Sequence, residues 1–217
     1  MKDLLLIVPS RSREGRIDLF KQHFDKNSTI SDLCIGIDND QHERYPSFDG
    51  FVYDVNENMQ LGPKLNMLSK KYCDDYKYIA FMGDDHLIQT YGWDEKLISC
   101  IDGMKYGMSY GNDLVRGEEL PTAILMNSNI IKKLGYMCPP TLVHLYLDNF
   151  WLTLGQTLGT IRYCPDVIIE HMHFTTGKSE IDQTYIESNT PELYRADEAA
   201  YNQYLKVNFQ NDLKKLT

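Results

Sequence analysis

Short apolar runs alternate with amphipathic segments over the first 90 residues. Residues 4–8 are continuously apolar and end at Pro9, a pattern typical of a buried parallel strand. Further strands are predicted at 33–37, 51–55 and 78–82, and helices at 15–24 and 61–72. This alternation with short connections predicts an α/β fold with a mostly parallel, doubly wound sheet flanked by helices.

The second half of the chain is less regular. Helices are predicted at 93–101, 130–134 and 145–158, and strands at 121–127 and 166–173. A polar stretch at 175–189 predicts a loop, and residues 191–215 predict one closing helix. We therefore expect a single domain over residues 1–190, followed by a C-terminal helical extension over 191–217.

The amino-acid composition argues against several classes of function. The net charge of −9 disfavours sequence-independent capture of nucleic acid, because phosphate neutralisation requires clustered Lys and Arg. Five scattered Cys without a CxxC pair predict reduced, mostly buried thiols. The apolar run at the N-terminus is too short for a signal peptide, and no segment approaches the ~18 apolar residues of a membrane span. These features predict a cytoplasmic protein, in a bacterium or in a host cell if the protein is viral.

Three predicted strands end in polar turns, and the turn after strand 78–82 contains adjacent carboxylates, Asp84 and Asp85. Neighbouring carboxylates repel one another unless a cation or hydrogen bonds compensate. A divalent ion with oxygen ligands is a natural compensator and often also binds substrate phosphates. His86 follows directly and offers another ligand. The alternative interpretation is a solvated acidic turn.

Two histidines, His171 and His173, end the predicted strand 166–173. Side chains two residues apart on a strand share one face, so both can reach the same site. Imidazole suits Mn, Fe and Zn better than Mg. The alternative is that both are ordinary core or surface residues.

Asp148 lies among large apolar residues, a setting that raises the pKa of a carboxylate and suits a general base. It could instead be a helix-surface or capping residue. Lys64 and Arg11 are candidates for phosphate contacts, with plain surface positions as the alternative.

The order of these motifs resembles GT-A glycosyltransferases, most closely the family 2-like group. The pair Asp84-Asp85 matches the DXD-type motif of that fold, in the variant where a strand ends directly in two aspartates. Trp93 resembles the "GW" turn that often follows the motif. In the segment ahead of strand 78–82, Asn58, Gly62 and Asn66 resemble an Asn- and Gly-containing stretch of the family.

The resemblance implies a single GT-A-like domain, with a nucleotide-binding half at about 1–90 and an acceptor half at about 91–190. It assigns the catalytic base to Asp148. The implied nucleotide-sugar pocket contains Pro9, Ser10, Arg11, Asp38, Lys64, Asn66 and Asp84. The implied ligands of Mn²⁺ (or Mg²⁺) are Asp85, Asp84, His171 and His173.

The activity implied is a metal-dependent, inverting transfer of a hexose or pentose from a nucleotide sugar, expected to be UDP-linked. The acceptor would be a glycan hydroxyl or a hydroxymethylated DNA base. A nucleotidyltransferase is an alternative, although residues 9–15 poorly match its Gly-rich signature loop. A non-catalytic module binding nucleotides or sugars is another. The oligomeric state is left open.

Overall fold

The computed structural model describes residues 1–45, 52–173, 177–178 and 183–217. Its strands are β1 (Lys2–Pro9), β2 (Ser31–Asp38), β3 (Val52–Asn56), β4 (Tyr76–Phe81), β5 (His86–Ile88), β6 (Met108–Asn112), β7 (Ile124–Asn127) and β8 (Ile161–His171). Its helices are α1 (Glu14–Asn27), α2 (Leu61–Tyr72), α3 (Trp93–Ser99), α4 (Ser128–Leu134), α5 (Leu147–Leu158), α6 (Gln183–Ser188), α7 (Pro191–Val207) and α8 (Phe209–Leu216).

The strands form one sheet in the order β3-β2-β1-β4-β7-β6-β8-β5. The first four are mutually parallel, as are β6 and β8, whereas β7 and β5 run antiparallel to their neighbours. A separate hydrophobic core covers each face of the sheet. The predicted α/β fold, with a sheet flanked by helices, is confirmed.

The sheet differs from the prediction mainly in the second half. Strands β5 and β6 are not predicted, and β8 begins at Ile161 rather than at residue 166. Pro165 hides the start of β8, because proline is unfavourable inside a strand. The structure accommodates it at a register shift, where the partners of β6 jump from Cys164 to Ile168. Gly111 permits the close approach there, since a Cβ atom would lie 2.3 Å from the Val167 carbonyl oxygen.

The C-terminal residues form two helices rather than the single one predicted. The chain turns at Asn208, between α7 and α8. Both helices contribute side chains to one hydrophobic core, including Tyr201, Tyr204, Phe209 and Leu216. The predicted loop 175–189 also contains the short helix α6, and residues 175–176 and 179–182 lie outside the described part of the chain.

Three of the five cysteines are free and buried as expected, namely Cys34, Cys73 and Cys138. Cys100, directly after α3, and Cys164 in β8 lie next to each other, with Cα atoms 7.1 Å apart. Disulfides usually join Cα atoms about 4.4–6.8 Å apart, so for this pair the reduced state stays a prediction.

Within the described residues, no helix combines the length and the apolar character needed to cross a bilayer.

Candidate functional site

A cavity of about 310 Å³ lies where the carboxyl ends of β1, β2 and β4 meet the start of α5 and the end of β8. Ligands commonly bind at this edge of α/β sheets, because the connecting loops gather there. Ten of the eleven predicted site residues line the cavity: Pro9, Ser10, Arg11, Asp38, Lys64, Asp84, Asp85, Asp148, His171 and His173. The sheet therefore brings together residues that are up to 164 positions apart.

Asp38 ends β2 and is fully buried. Its carboxylate accepts hydrogen bonds from the Lys64 ammonium and from Arg11 Nη1, the latter at 2.5 Å. The backbone amide of Met59 donates a third, at 3.3 Å. A buried carboxylate needs such partners, and here they fix two cations against one wall of the cavity.

Asp84 is held on the same wall. It accepts hydrogen bonds from Ser10 Oγ at 2.6 Å and from Arg13 Nη1 at 2.9 Å. Burial raises the pKa of Asp84, and the Arg13 guanidinium opposes that rise. The sequence analysis gave Asp84 two roles, in the nucleotide pocket and at the metal. The structure groups its side chain with Ser10 and Arg13, and it lies outside the cluster of potential metal ligands found among the described residues.

That cluster consists of Asp85, His86 and His171, whose potential ligand atoms all lie within 4.8 Å of one another. Asp85 Oδ1 is 3.2 Å from His86 Nδ1, and Asp85 Oδ2 is 3.5 Å from His171 Nε2. Burial opposes ionisation of Asp85, but the two imidazoles lower its pKa well below the ordinary value. The cluster thus combines one ionised carboxylate with two imidazoles.

Strand pairing explains why the two imidazoles meet. His86 opens β5 and is the direct antiparallel partner of His171 at the end of β8. Side chains of such a pair stand side by side, and these rings stack with centroids 4.3 Å apart. The ring of His173 contacts His171 edge-on at 5.0 Å but lies outside the cluster.

The donor set fits a divalent ion. The buried Nδ1 of His86, which faces Asp85, makes no hydrogen bond within the described residues. Burial lowers the pKa of His171, but the flanking carboxylates of Asp113 and Asp85 outweigh it and raise that pKa to about 9. A metal bound to this imidazole would take the place of the proton. One carboxylate with two imidazoles suits Mn²⁺ or a similar transition metal better than Mg²⁺.

Two residues behind the imidazoles, Asp113 and Thr122, are not predicted from the sequence as parts of the site. Asp113 Oδ2 accepts a hydrogen bond from Thr122 Oγ1 at 2.8 Å and lies 3.8 Å from His171 Nδ1. Thr122 Oγ1 lies 3.4 Å from His86 Nε2. No sequence signal marks either residue, because both lie in irregular loops and reach the site only through the pairing of distant strands.

Asp148 lies in the first turn of α5, where its Oδ1 accepts a hydrogen bond from the Asn149 amide at 2.9 Å. Its deep position raises the pKa of the carboxyl group, as the sequence analysis expected for a base. Tyr146 precedes the helix with a φ of +64°, a rare conformation for a residue other than glycine. Such backbone strain often occurs at functional sites.

A buried side chain of the C-terminal extension fixes this wall of the cavity. The carboxylate of Asp197 on α7 accepts hydrogen bonds from the backbone amides of Val143, His144 and Leu145, at 2.7–3.1 Å. These amides belong to the loop that leads into α5. The extension therefore holds in place the segment that presents Asp148.

No protein-family model matches the chain, and no curated protein matches it. Solved glycosyltransferase structures do. The mannosyltransferase PcManGT from Pyrobaculum calidifontis, in complex with GDP-Man and Mn²⁺, aligns with a TM-score of 0.55 and 11% identity over 100% of this chain and 75% of its own.

Two further structures agree. The catalytic domain of Drosophila β1,4-galactosyltransferase 7, in complex with xylobiose, aligns with a TM-score of 0.61 and 11% identity over 93% of this chain and 80% of its own. S. aureus TarS, in complex with UDP-GlcNAc, aligns with a TM-score of 0.58 and 14% identity over 96% of this chain and 74% of its own. The chain has the GT-A fold. The identities are low, so the similarity establishes the fold, and its neighbours on that fold are glycosyltransferases.

One of the predicted site residues lies elsewhere on this GT-A fold. Asn66 is absent from the lining of the cavity. Its side-chain oxygen accepts hydrogen bonds from the amides of Met137 and Cys138, and its nitrogen donates to the Cys138 carbonyl. Asn66 thus ties α2 to the loop after α4.

Proposed function

We propose that the chain is a metal-dependent glycosyltransferase that moves a sugar from a UDP-linked donor to an acceptor hydroxyl with inversion. One observation carries the proposal: a single cavity on a GT-A fold is lined by paired cations and carboxylates, by a potential metal cluster and by a carboxylate of raised pKa. These are the three components that such a transfer requires.

The donor would lie against the wall formed by the ends of β1 and β2. Arg11, Arg13 and Lys64 line that wall and are each held by a buried carboxylate. Fixed cations of this kind suit a diphosphate, because their geometry is already organised before binding. Among the neighbours, TarS is complexed with UDP-GlcNAc and PcManGT with GDP-Man, so the choice of UDP needs a direct test.

Asp85, His86 and His171 would hold the metal, with Mn²⁺ as the proposed ion. A bound divalent ion would offset the negative charge that builds on the departing diphosphate. Arg13 and Lys64 would contact the same diphosphate directly. Asp148, across the cavity, would accept the proton of the attacking hydroxyl, and attack from the face opposite the diphosphate would invert the anomeric centre.

A donor screen tests the whole proposal. UDP-, GDP- and dTDP-sugars are added with and without Mn²⁺, and thermal unfolding is followed. We expect UDP-sugars with Mn²⁺ to stabilise the protein, by about 2.7 kcal/mol at a ligand concentration 100 times Kd. Product analysis follows with the stabilising donor. Release of UDP with glycoside formation supports transfer, whereas synthesis of a nucleotide sugar from a nucleoside triphosphate would show a nucleotidyltransferase instead.

We further propose a glycan rather than a hydroxymethylated DNA base as acceptor. Tyr146 and Tyr185 line the cavity together with Asp148, and Tyr194 lies close enough to both to influence their pKa values electrostatically. The Tyr146 ring is held by stacking on Tyr201 at 5.5 Å. Aromatic faces of this kind can pack against a sugar ring.

Charge separates the two acceptor classes. DNA binding requires clustered Lys and Arg, whereas the Lys and Arg residues that line the described cavity lie on the donor wall and are paired with Asp38 or Asp84. Near the tyrosines, Glu198 faces Tyr146 and Asp148 lines the cavity. An uncharged glycan fits this surface better than a polyanion.

Tyr185→Ala should therefore raise the KM for a sugar acceptor roughly 10-fold, with little change in donor affinity, because Tyr185 lines the cavity and is not part of the donor wall. Competition between methyl pyranosides and hydroxymethylcytosine DNA in a turnover assay identifies the acceptor class. Tyr91→Ala serves as a matched control, since Tyr91 is 67% exposed and is absent from the cavity lining. Preferential use of the DNA would contradict the glycan proposal while leaving the transferase proposal intact.

A further inference from the structure

Each of the two imidazoles in the metal cluster has one ring nitrogen facing Asp85 and the other facing a residue on the far side of the ring. His86 turns Nδ1 to Asp85, at 3.2 Å, and Nε2 to Thr122, at 3.4 Å. His171 turns Nε2 to Asp85, at 3.5 Å, and Nδ1 to Asp113, at 3.8 Å. Each ring thus lies between the candidate ligand Asp85 and the pair formed by Asp113 and Thr122.

Asp113 accepts hydrogen bonds at both of its carboxylate oxygens. Oδ1 accepts from the amides of residues 115–117, at 2.7–2.9 Å, and Oδ2 accepts from the Thr122 hydroxyl. The carboxylate is 3% exposed, so its orientation is fixed by these bonds.

The direction of the Thr122 hydroxyl bond determines the tautomer of His86. The single hydroxyl proton of Thr122 is donated to Asp113 Oδ2. The oxygen of Thr122 can then only accept at His86, 3.4 Å away, which favours a proton on Nε2 of His86. Its Nδ1 is left with a lone pair directed at Asp85. A lone pair 3.2 Å from a carboxylate oxygen is unfavourable by itself, and a cation bound to both atoms would remove the repulsion.

The second imidazole, His171, has its Nδ1 facing the acceptor Asp113, which favours a proton on that nitrogen. Its Nε2 faces Asp85 and is therefore the nitrogen at which a metal ion would take the place of a proton. The 3.8 Å distance is an ion-pair distance, about 0.6 Å longer than the upper limit of a normal hydrogen bond. Carboxylates commonly orient metal-binding histidines in this way.

We propose that Asp113 and Thr122 are positioning residues that fix both imidazoles, so that Nδ1 of His86 and Nε2 of His171 are the atoms available to a divalent ion beside Asp85. The proposal rests on the metal site of the proposed function. It specifies which nitrogen of each histidine would face the ion, and it assigns Asp113 as the outer carboxylate for both rings, for His86 through Thr122.

The first measurement does not depend on a metal. Long-range ¹H–¹⁵N NMR of the metal-free protein reports which nitrogen of His86 carries the proton. We expect the Nε2–H tautomer in the wild type and in Thr122→Ser, which retains the hydroxyl. Thr122→Val should populate the other tautomer, because the partner of Nε2 is removed. An Nδ1–H tautomer in the wild type would overturn the proposal, whether or not the protein is a glycosyltransferase.

The second measurement is Mn²⁺ affinity, by EPR titration of the free ion. Thr122→Val and Asp113→Asn should each weaken binding by about 10- to 100-fold, as changes behind metal-bound histidines commonly do. Thr122→Ser should bind nearly as well as the wild type. Wild-type affinity in both Thr122→Val and Asp113→Asn would overturn the positioning role.

Matched controls separate positioning from stability. Asp94→Asn removes a buried carboxylate that, like Asp113, accepts hydrogen bonds from consecutive backbone amides, here those of residues 29–31. Thr157→Val removes an exposed hydroxyl on α5. Both should keep wild-type Mn²⁺ affinity. If Asp113→Asn does not fold, Thr122→Val still decides the outcome, because it preserves volume and leaves the amide bonds of Asp113 in place.

Discussion

Asp85→Ala is expected to abolish metal-dependent donor binding. Asp85 is the one carboxylate in the cluster, and both imidazoles face its oxygens. Without it, two neutral nitrogens remain to bind a divalent ion. Since changes behind a ligand already cost about 10- to 100-fold in metal affinity, loss of a direct ligand should cost at least ~100-fold. Calorimetry with Mn²⁺, and then with UDP in the presence of Mn²⁺, measures both effects.

Two comparisons make this result specific. Asp74→Ala removes a carboxylate that is 87% exposed and should leave both affinities unchanged. His173→Ala tests the residue that the sequence analysis included as a ligand and the structure leaves outside the cluster. Wild-type Mn²⁺ affinity in Asp85→Ala would remove the metal site from the proposal.

Asp148→Asn is expected to lower kcat by ~100- to 10,000-fold, the usual range for loss of a general base. The substitution keeps the shape of the side chain and removes its basicity. A base acts mainly in the transition state, so donor affinity should change little. Turnover and donor binding are measured on the same preparation, and NMR of the product reads its anomeric configuration. Retained configuration in the wild type would exclude this role for Asp148.

The pH profile provides an independent check. Burial raises the pKa of Asp148. A base must be deprotonated to act, so kcat should fall as pH is lowered through that raised pKa, above the ordinary aspartate value of about 3.9. Asp25→Asn, a change on the exposed face of α1, should keep the wild-type profile.

The first half of the fold is predictable because its strands are apolar on both faces and its helices carry regular apolar stripes. The sequence analysis predicts helix 61–72 at its observed bounds. Strand β6 is different, since MSYGN has neither an apolar run nor clear alternation. It becomes a strand because β7 and β8 pair with it on either side. Tertiary pairing of this kind cannot be read from local propensity.

The site residues also divide into those marked by their local sequence and those placed by tertiary structure. Asp84 and Asp85 stand out as adjacent carboxylates directly after an apolar strand, and Asp148 stands out because it lies among large apolar residues. All three line the cavity. Asp113 has no such signal, since its role depends on residues 9 and 58 positions away. Asn66 shows the converse case: it fits a family motif, but its amide is occupied by the backbone of residues 137 and 138.

The bonds from Asp197 to the loop before α5 have a consequence for biosynthesis. During synthesis, the segments that form the donor wall emerge from the ribosome first, because β1, β2 and α2 all precede residue 73. His171 and Asp197 emerge much later, the latter 54 residues after Val143. A nascent chain therefore holds the cations of the donor wall before it can assemble the metal cluster or fix Asp148. Catalytic competence would be acquired only when α7 has left the exit tunnel and docked.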